Sequence, residues 1–214
     1  MLKADFHIHT EYSMDCEMEV EDIIKKCLEK GITCLSVCDH GTTEGAIKMK
    51  EIAPFKVIVS EEILTPNGEI MGMFLQETIP SGITVEQAIY RIREQGGLVC
   101  LPHPFDPFRG LSLTMEQFDA IADNIDVIEV FNARSPINST ADKAVDYAGR
   151  HGLPGTAGTD SHTLREIGHT FVELPEFETP KEFLESLWQG KITQRKASIL
   201  VHLNSTWTKI KRKI

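Results

Sequence analysis

The sequence lacks the features that mark several large protein classes. Its 214 residues carry a formal net charge of −10, so a general affinity for the phosphate backbone of nucleic acids is not expected. No apolar run approaches the length of a membrane-spanning helix, and we expect no signal peptide before the first predicted strand. Aromatic residues make up only 7% of the chain, and it has no internal repeat or low-complexity segment. The remaining balance, 41% hydrophobic and 25% charged, is typical of a globular protein with a substantial core.

Disulfide bonds are also not expected. The five cysteines are odd in number, and none lies in a Cys-x-x-Cys pair. We therefore predict reduced, mostly buried thiols and a cytoplasmic protein. Cys38 directly precedes Asp39 and His40, but it continues the apolar face of a strand, so we assign it to the core.

Strand-like and helix-like patterns alternate along most of the chain. Helices are predicted where apolar residues recur with helical spacing, and strands where short β-branched runs occur. The sequence Asn67-Gly68 predicts a hairpin, and Thr84 with Gln87 predicts a capping box, as does Thr114 with Gln117. The predicted strands are 5–10, 32–38, 57–59, 63–64, 70–75, 98–101, 127–131, 153–158 and 171–174. The predicted helices are 20–30, ended by Gly31, then 43–53, one after Thr84, one after Thr114, 141–150, and one from Thr179 that buries Phe183, Leu184, Leu187 and Trp188. This alternation indicates an α/β fold with a mainly parallel sheet, in a small or incomplete barrel.

Histidine and acidic residues follow one apolar run after another. His7 and His9 are two residues apart on the first strand, so both side chains project from the same face and can hold one metal ion. Parallel barrels place their active sites at the carboxyl ends of their strands, which is where these residues lie. Imidazole and carboxylate ligands suit zinc, manganese or iron, and their number predicts two or three divalent ions. The predicted metal-ligating residues are His7, His9, Asp15, His40, Glu62, His103, Asp160 and His162.

These segments resemble the polymerase-and-histidinol-phosphatase (PHP) family of metal-dependent phosphoesterases. The resemblance is carried, in family order, by Asp5–Thr10, Cys38–His40, Val57–Ile63, Leu101–Pro104, Glu129–Asn132 and Gly158–His162. It implies a distorted (β/α)7 barrel with up to three metals at the carboxyl ends of its strands. We expect one PHP domain over residues 1–214, with a basic C-terminal tail at about 205–214.

The resemblance also implies which residues share an ion. His7, His9, Glu62 and Asp160 correspond to one ligand set, and Glu62 would bridge to a second ion bound by His103. Asp15, His40 and His162 correspond to a third set. Many relatives have histidine at the Asp15 position, and a carboxylate there should favour manganese or iron. Relatives also tend to supply a histidine in the hairpin region, where this chain offers Glu69 as an optional further ligand.

The predicted reaction is hydrolysis of a phosphate ester by a metal-activated hydroxide. We assign catalytic roles to His40, His162 and Asp160, with His40 or His162 as the acid for the leaving group if it is not committed to metal. Arg109 and Arg134 follow metal-site strands and are candidates to bind phosphate. Asp39, Glu129 and Asn132 are assigned to ligand orientation or substrate binding. We read His151, His169 and His202 as residues outside the site.

The preferred function is therefore hydrolysis of a small phosphomonoester, with a nucleotide as one option. The alternatives are an amidohydrolase that cleaves C–N bonds, a nuclease, and a metal-binding domain without catalysis. Amidohydrolases usually supply a bridging lysine at a strand end, and Glu62 together with Asp15, His40 and His162 argues against that class. The acidic charge disfavours the nuclease. We expect no nucleic-acid or membrane partner.

Overall fold

The described residues fold around one nine-stranded sheet. The computed structural model describes residues 1–137 and 139–197, so the predicted basic tail and His202 lie outside the described residues. The strands lie in the order β7-β6-β5-β4-β3-β2-β1-β8-β9. Their bounds are β1 Leu2–Ile8, β2 Cys34–Val37, β3 Lys56–Thr65, β4 Gly68–Met73, β5 Leu98–Leu101, β6 Val127–Asn132, β7 Gly155–Gly158, β8 Phe171–Leu174 and β9 Lys191–Thr193.

The first seven strands curve into a nearly closed barrel. The chain that follows β7 runs beside the end of β1, where the Asp160 N–H donates to the His7 carbonyl at 2.7 Å. The His9 N–H then donates to the Ser161 carbonyl at 3.2 Å. Strands β1, β2 and β3 are parallel, and so are β5, β6 and β7, whereas β4 is antiparallel to both of its neighbours. The α/β barrel is thus confirmed, but the (β/α)7 count is not, because the hairpin at Asn67 replaces one helix.

In the described part of the chain, six α-helices connect or flank the strands. The capping boxes at Thr84 and Thr114 are both present, and Gly31 ends the first helix with a left-handed φ of 65°. None of the helices in the described ranges is both long and apolar enough to cross a bilayer. The helices are α1 Val20–Lys30, α2 Glu44–Ile52, α3 Val85–Glu94, α4 Met115–Ile121, α5 Ser139–His151 and α6 Pro180–Leu187.

The prediction that Trp188 is buried was wrong. Phe183 and Leu187 are buried on α6 as expected, whereas the Trp188 side chain is 62% exposed. Trp188 is the residue at which α6 ends, so its side chain leaves the apolar stripe of the helix. Strand β9 was not predicted, because its three residues Lys191–Thr193 carry no apolar run.

Two apolar layers hold the barrel together. The outer layer lies between the strands and helices α1 to α5, with members such as Val37, Ile89 and Tyr147. The inner layer fills the barrel and includes Phe6 and Cys38. All five cysteines are buried and free, as predicted. The inner layer ends below the histidines at the carboxyl ends of the strands, which leaves that end of the barrel for polar side chains.

Candidate metal centre

The predicted metal ligands come together at one end of the barrel. They lie at strand ends or in the loops that follow, except Glu62 within β3 and Glu69 near the start of β4. Because β4 is antiparallel to β3, its beginning lies beside the end of β3, which brings Glu69 to the same end. Two of these residues, His103 and Asp160, have left-handed backbones, with φ of 28° and 55°. Such conformations cost about 1–3 kcal/mol in non-glycine residues and are common at functional sites.

The first group of ligand atoms surrounds the two histidines of β1. The Nε2 atoms of His7 and His9 are 3.2 Å apart. Asp160 Oδ1 lies 3.7 Å from the first and 3.4 Å from the second. Glu62 Oε2 lies 3.5 Å from both. All four side chains are almost fully buried, so four potential ligand atoms face one small volume.

Glu62 connects this group to two further histidines. Its Oε1 is 2.8 Å from His103 Nε2, while its Oε2 is 3.3 Å from His40 Nδ1. Glu69 lies beside the same two rings, at 3.4 Å from His103 Nε2 and 3.9 Å from His40 Nδ1. A carboxylate whose two oxygens face different imidazoles has the arrangement expected of a bridging ligand.

A third group forms around Asp15. Its Oδ2 is 3.1 Å from His162 Nε2 and 3.5 Å from His40 Nε2. Potential ligand atoms of His9, Asp15, His40 and His162 all lie within 4.8 Å of one another, as they do for His7, Glu62 and His103, and for His40, Glu62 and Glu69. The structure thus brings together every residue predicted to bind metal. The groups overlap, because His40 and Glu62 each belong to two of them.

The donor atoms at this site are better placed to bind divalent cations than to form hydrogen bonds with one another. Among the described residues, several buried side-chain atoms at this site have no hydrogen-bond partner. Buried polar atoms without partners cost free energy, so these donor atoms fit cations as partners. These atoms are Nδ1 of His9, His40 and His103, Nε2 of His162, Oδ1 of Asp160 and Oε2 of Glu69.

The pKa values of the side chains at this site also fit a metal centre. Burial favours neutral imidazole, but the carboxylates of Glu62 and Asp15 outweigh it and raise the pKa of His40 to about 9. Burial beside His162 and His40 lowers the pKa of His9 to about 3. Burial and the negative charge of Glu62 raise the pKa of Glu69 to about 7. Despite burial, the charges of Arg109 and His7 hold the pKa of Asp160 well below its usual range. The site therefore holds protons on imidazole that bound cations would replace.

Glu129 and Asn132 surround the ligands from strand β6. Glu129 Oε1 is 3.1 Å from His7 Nδ1, and its Oε2 accepts the N–H of His103 at 2.7 Å. The Asn132 side-chain amide donates to Glu129 at 3.0 Å and to Asp160 Oδ2 at 3.2 Å. These contacts orient ligands from three different strands, which is one of the two roles considered for Glu129.

The two predicted arginines lie at this site in different environments. Arg109 donates to Oδ2 of Asp160 and is 3.3 Å from Asp106, and 27% of its side chain is exposed. Arg134 is buried, and its guanidinium contacts the His162 ring and the Asp160 carbonyl. Arg109 can therefore reach solvent and a ligand, whereas Arg134 supports the loop that carries His162.

Asp39 lies behind the site. It accepts two hydrogen bonds from Thr10, one from the N–H and one from the hydroxyl, both at 2.6 Å. The carboxylate thereby ties the end of β1 to the end of β2. Gly45 on α2 packs against this pair, since a Cβ there would lie 2.3 Å from Asp39 Oδ2. The position of Asp39 favours a role in aligning the strands that carry His9 and His40.

Several residues that shape the site were not predicted. Asp5 is buried and accepts the N–H groups of His7 at 3.3 Å and Thr159 at 2.9 Å, and burial raises its pKa to about 7. Glu166 accepts the N–H of His162 at 3.1 Å. Gly158 lies so close to His7 that a Cβ there would be 2.2 Å from the His7 Cβ. Asp5 and Gly158 stand in segments that carry the resemblance, Asp5–Thr10 and Gly158–His162, and these were the signals available. Glu166 acts through loop geometry that has no pattern in the sequence.

Comparisons with known proteins identify the family of the chain. The family model described as PHP domain matches residues 5–68, and the one described as PHP-associated matches residues 138–192. An uncharacterised protein of Methanocaldococcus jannaschii, MJ0417, is 34% identical over 199 residues, which cover 87% of this chain and 79% of that protein. The chain belongs to the PHP family. Both matched regions contain or flank residues of the metal centre described above.

Solved structures show the same PHP-like fold at low sequence identity. A two-domain protein from Bacteroides vulgatus, described as containing a predicted PHP-like metal-dependent phosphoesterase, has a TM-score of 0.72 and 18% identity. The match covers 89% of this chain but 64% of that protein, so the chain spans less than two thirds of its length. An amidohydrolase from Chromobacterium violaceum has a TM-score of 0.67 and 16% identity, covering 89% of this chain and 98% of that one. These similarities establish the barrel fold. The type of reaction must be inferred from the residues of the site.

Proposed function

We propose that this PHP protein hydrolyses a small phosphomonoester, with a nucleotide as one candidate, using two or three divalent cations. The observation that carries the proposal is the convergence of nine buried or nearly buried His, Asp and Glu side chains at one end of the barrel. Manganese, zinc and iron are the candidate metals, because the donors are imidazoles and carboxylates. Five free, buried cysteines support a reducing, cytoplasmic setting.

The residues around the cations have separate roles in binding the substrate and in orienting the metal ligands. Bound cations would polarise the phosphoryl group and lower the pKa of a coordinated water. Arg109, partly exposed and adjacent to Asp160, is positioned to bind a phosphate oxygen through its remaining N–H groups. Glu129 and Asn132 hold His7 and Asp160 in place, so that the ligands need not reorganise during the reaction. His40 or His162 would donate the proton to the leaving oxygen when it is not bound to metal.

The space beside Arg109 supports a small substrate. A cavity of about 250 Å³ is lined by Asp106, Phe108, Arg109 and Pro136. It adjoins the metal centre through the contact between Arg109 and Asp160. A larger groove of about 590 Å³ lies near the beginning of β3, and its lining includes none of the metal-site residues. We therefore place the leaving group of the substrate in the smaller cavity.

The test is metal-dependent release of phosphate. Metal-stripped protein would be supplied separately with manganese, zinc or iron(II) and assayed against a panel of phosphomonoesters that includes nucleotides. His9→Ala and Asp160→Ala should abolish release, whereas His169→Ala, away from the site, should retain it. Release that is independent of metal, or that survives both site substitutions, would contradict the proposal.

A C–N hydrolase is the second candidate, favoured by the fold shared with the amidohydrolase from Chromobacterium violaceum. Against it, the side chain between the histidine groups is Glu62, a carboxylate whose two oxygens face different rings. The same metal-loaded protein can be assayed on a panel of amides and cyclic amides. Turnover of an amide with no release of phosphate from any ester would favour this alternative.

A further inference from the structure

The sulfur of Cys38 lies among the imidazoles of the metal centre. Potential ligand atoms of Cys38, His7 and His9 are all within 4.8 Å of one another, and all three side chains are buried. Cys38 is the one cysteine that takes part in such a group among the described residues. Its thiol also lies 3.5 Å from the carbonyl of Ile8, between the two histidines along the chain. The thiol is therefore held at the centre rather than turned away from it.

The position of Cys38 distinguishes it from the oxygen ligands. Cys38 belongs to the apolar layer that fills the barrel, together with Phe6 and Ile58, so its sulfur forms part of the floor below the histidines. Glu62 and Asp160 approach the Nε2 atoms of His7 and His9 with their oxygens, at 3.4 to 3.7 Å. The two imidazoles are thus shared between a set of oxygen donors and one sulfur donor.

We infer that His7, His9 and Cys38 form an alternative site for a thiophilic divalent cation such as zinc, cobalt or cadmium. Thiolate ligands select such ions, whereas manganese prefers the oxygen donors. Binding would release the thiol proton to solvent and form one metal–sulfur and two metal–nitrogen bonds, and water or Asp160 can supply a fourth ligand. Because His7 and His9 also belong to the groups with Glu62, His103, Asp15 and His162, a cation held by Cys38 competes with the arrangement used for hydrolysis.

The inference is tested first by absorption spectroscopy, which does not depend on the proposed reaction. Metal-stripped wild-type protein is titrated with cobalt(II), and a thiolate-to-cobalt charge-transfer band is recorded in the near ultraviolet. The band should appear in wild type and in Cys34→Ser, since Cys34 is buried in the same layer but belongs to no such group of ligands. It should be lost in Cys38→Ser and Cys38→Ala. No band in wild type, or a band that persists in folded Cys38 variants, would overturn the inference.

Two further measurements guard against misfolded variants. X-ray absorption of wild-type protein with one equivalent of zinc should show one sulfur neighbour at about 2.3 Å, a distance typical of zinc thiolates. A coordination shell of only nitrogen and oxygen would contradict the site without any substitution. If manganese-dependent hydrolysis is found, added zinc should inhibit wild type at concentrations about tenfold lower than Cys38→Ser, because the variant lacks the sulfur ligand that selects zinc. Equal inhibition of the two proteins would argue against competition at this site, whereas an inactive protein would leave the spectroscopic test unaffected.

Discussion

Glu129 and His7 face each other across the barrel, with Oε1 of the carboxylate 3.1 Å from Nδ1 of the ring. This contact favours the tautomer that keeps a proton on Nδ1, which leaves Nε2 free to bind metal. The second oxygen of Glu129 accepts the N–H of His103, so one carboxylate orients groups on two strands. We expect Glu129→Gln to lower metal affinity by about 10- to 100-fold, as is typical when a partner of a metal-bound histidine is lost.

Titration calorimetry of the metal-stripped protein with manganese measures this loss of affinity. The matched control is Glu173→Gln, at an exposed position of β8 that lies away from the site. Its affinity should equal that of wild type. If Glu129→Gln bound manganese as tightly as this control, the carboxylate would have no role in orienting His7.

A pair of glycine substitutions tests how tightly β7 packs against β1. A Cβ at Gly158 would lie 2.2 Å from the Cβ of His7, so Gly158→Ala must displace one of the two strands. We expect a loss of about 1–3 kcal/mol in the free energy of unfolding, in the range of overpacked cores, together with weaker metal binding. Gly149→Ala is the control: Gly149 lies in α5 with nothing within 4 Å of a Cβ, so alanine should stabilise the protein by up to about 1 kcal/mol. Urea unfolding of both variants measures the two effects, and equal stabilities would contradict the packing argument.

The site residues that could be predicted are those marked by a local pattern along the sequence. His7, His9, Asp160 and His162 were found because each follows an apolar run, and strand ends in a parallel barrel meet at one edge. Glu69 was harder to place, since its nearness to His103 depends on the antiparallel register of the hairpin.

The missed residues depend on three-dimensional loop geometry. Glu166 meets His162 through a tight turn, and the contact of Gly158 with His7 depends on how the barrel closes. Neither produces a periodic pattern in the sequence. The wrong prediction at Trp188 has the same origin, because the helical period identifies an apolar face but not the residue at which the helix ends.

The raised pKa of His40 predicts how the stability of the metal-free protein depends on pH. The folded protein holds this proton up to a pKa of about 9, because Glu62 and Asp15 outweigh the effect of burial, whereas an unfolded histidine has a pKa near 6.5. The corresponding stability is fully present below pH 6.5 and is lost as the pH rises to about 9. We expect the free energy of unfolding of metal-stripped protein to fall over this window by an amount on the order of 1–3 kcal/mol.

Urea unfolding at several pH values, with and without manganese, measures this dependence. The decline should be weaker in His40→Gln, which lacks the titrating ring, and weaker in wild type with manganese, where the cation replaces the proton. Stability that stays level or rises between pH 6.5 and 9 in metal-stripped wild type would show that His40 does not hold this proton.

Asp15 should determine which metal the third group prefers. Its Oδ2 lies 3.1 Å from His162 and 3.5 Å from His40, and His9 belongs to the same group, so a cation there would meet one carboxylate and three imidazoles. Oxygen donors favour manganese and iron(II), whereas a further imidazole favours zinc. We expect Asp15→His to shift the ratio of zinc to manganese affinity toward zinc by about tenfold or more, with a change in stability smaller than that in Gly158→Ala. Competition of the two metals for stripped protein, followed by metal analysis, measures the ratio, and Asp15→Asn separates loss of the charge from gain of the ring. If Asp15→Asn and Asp15→His gave the same ratio, the carboxylate would act through its charge alone, and the added imidazole would not be a ligand.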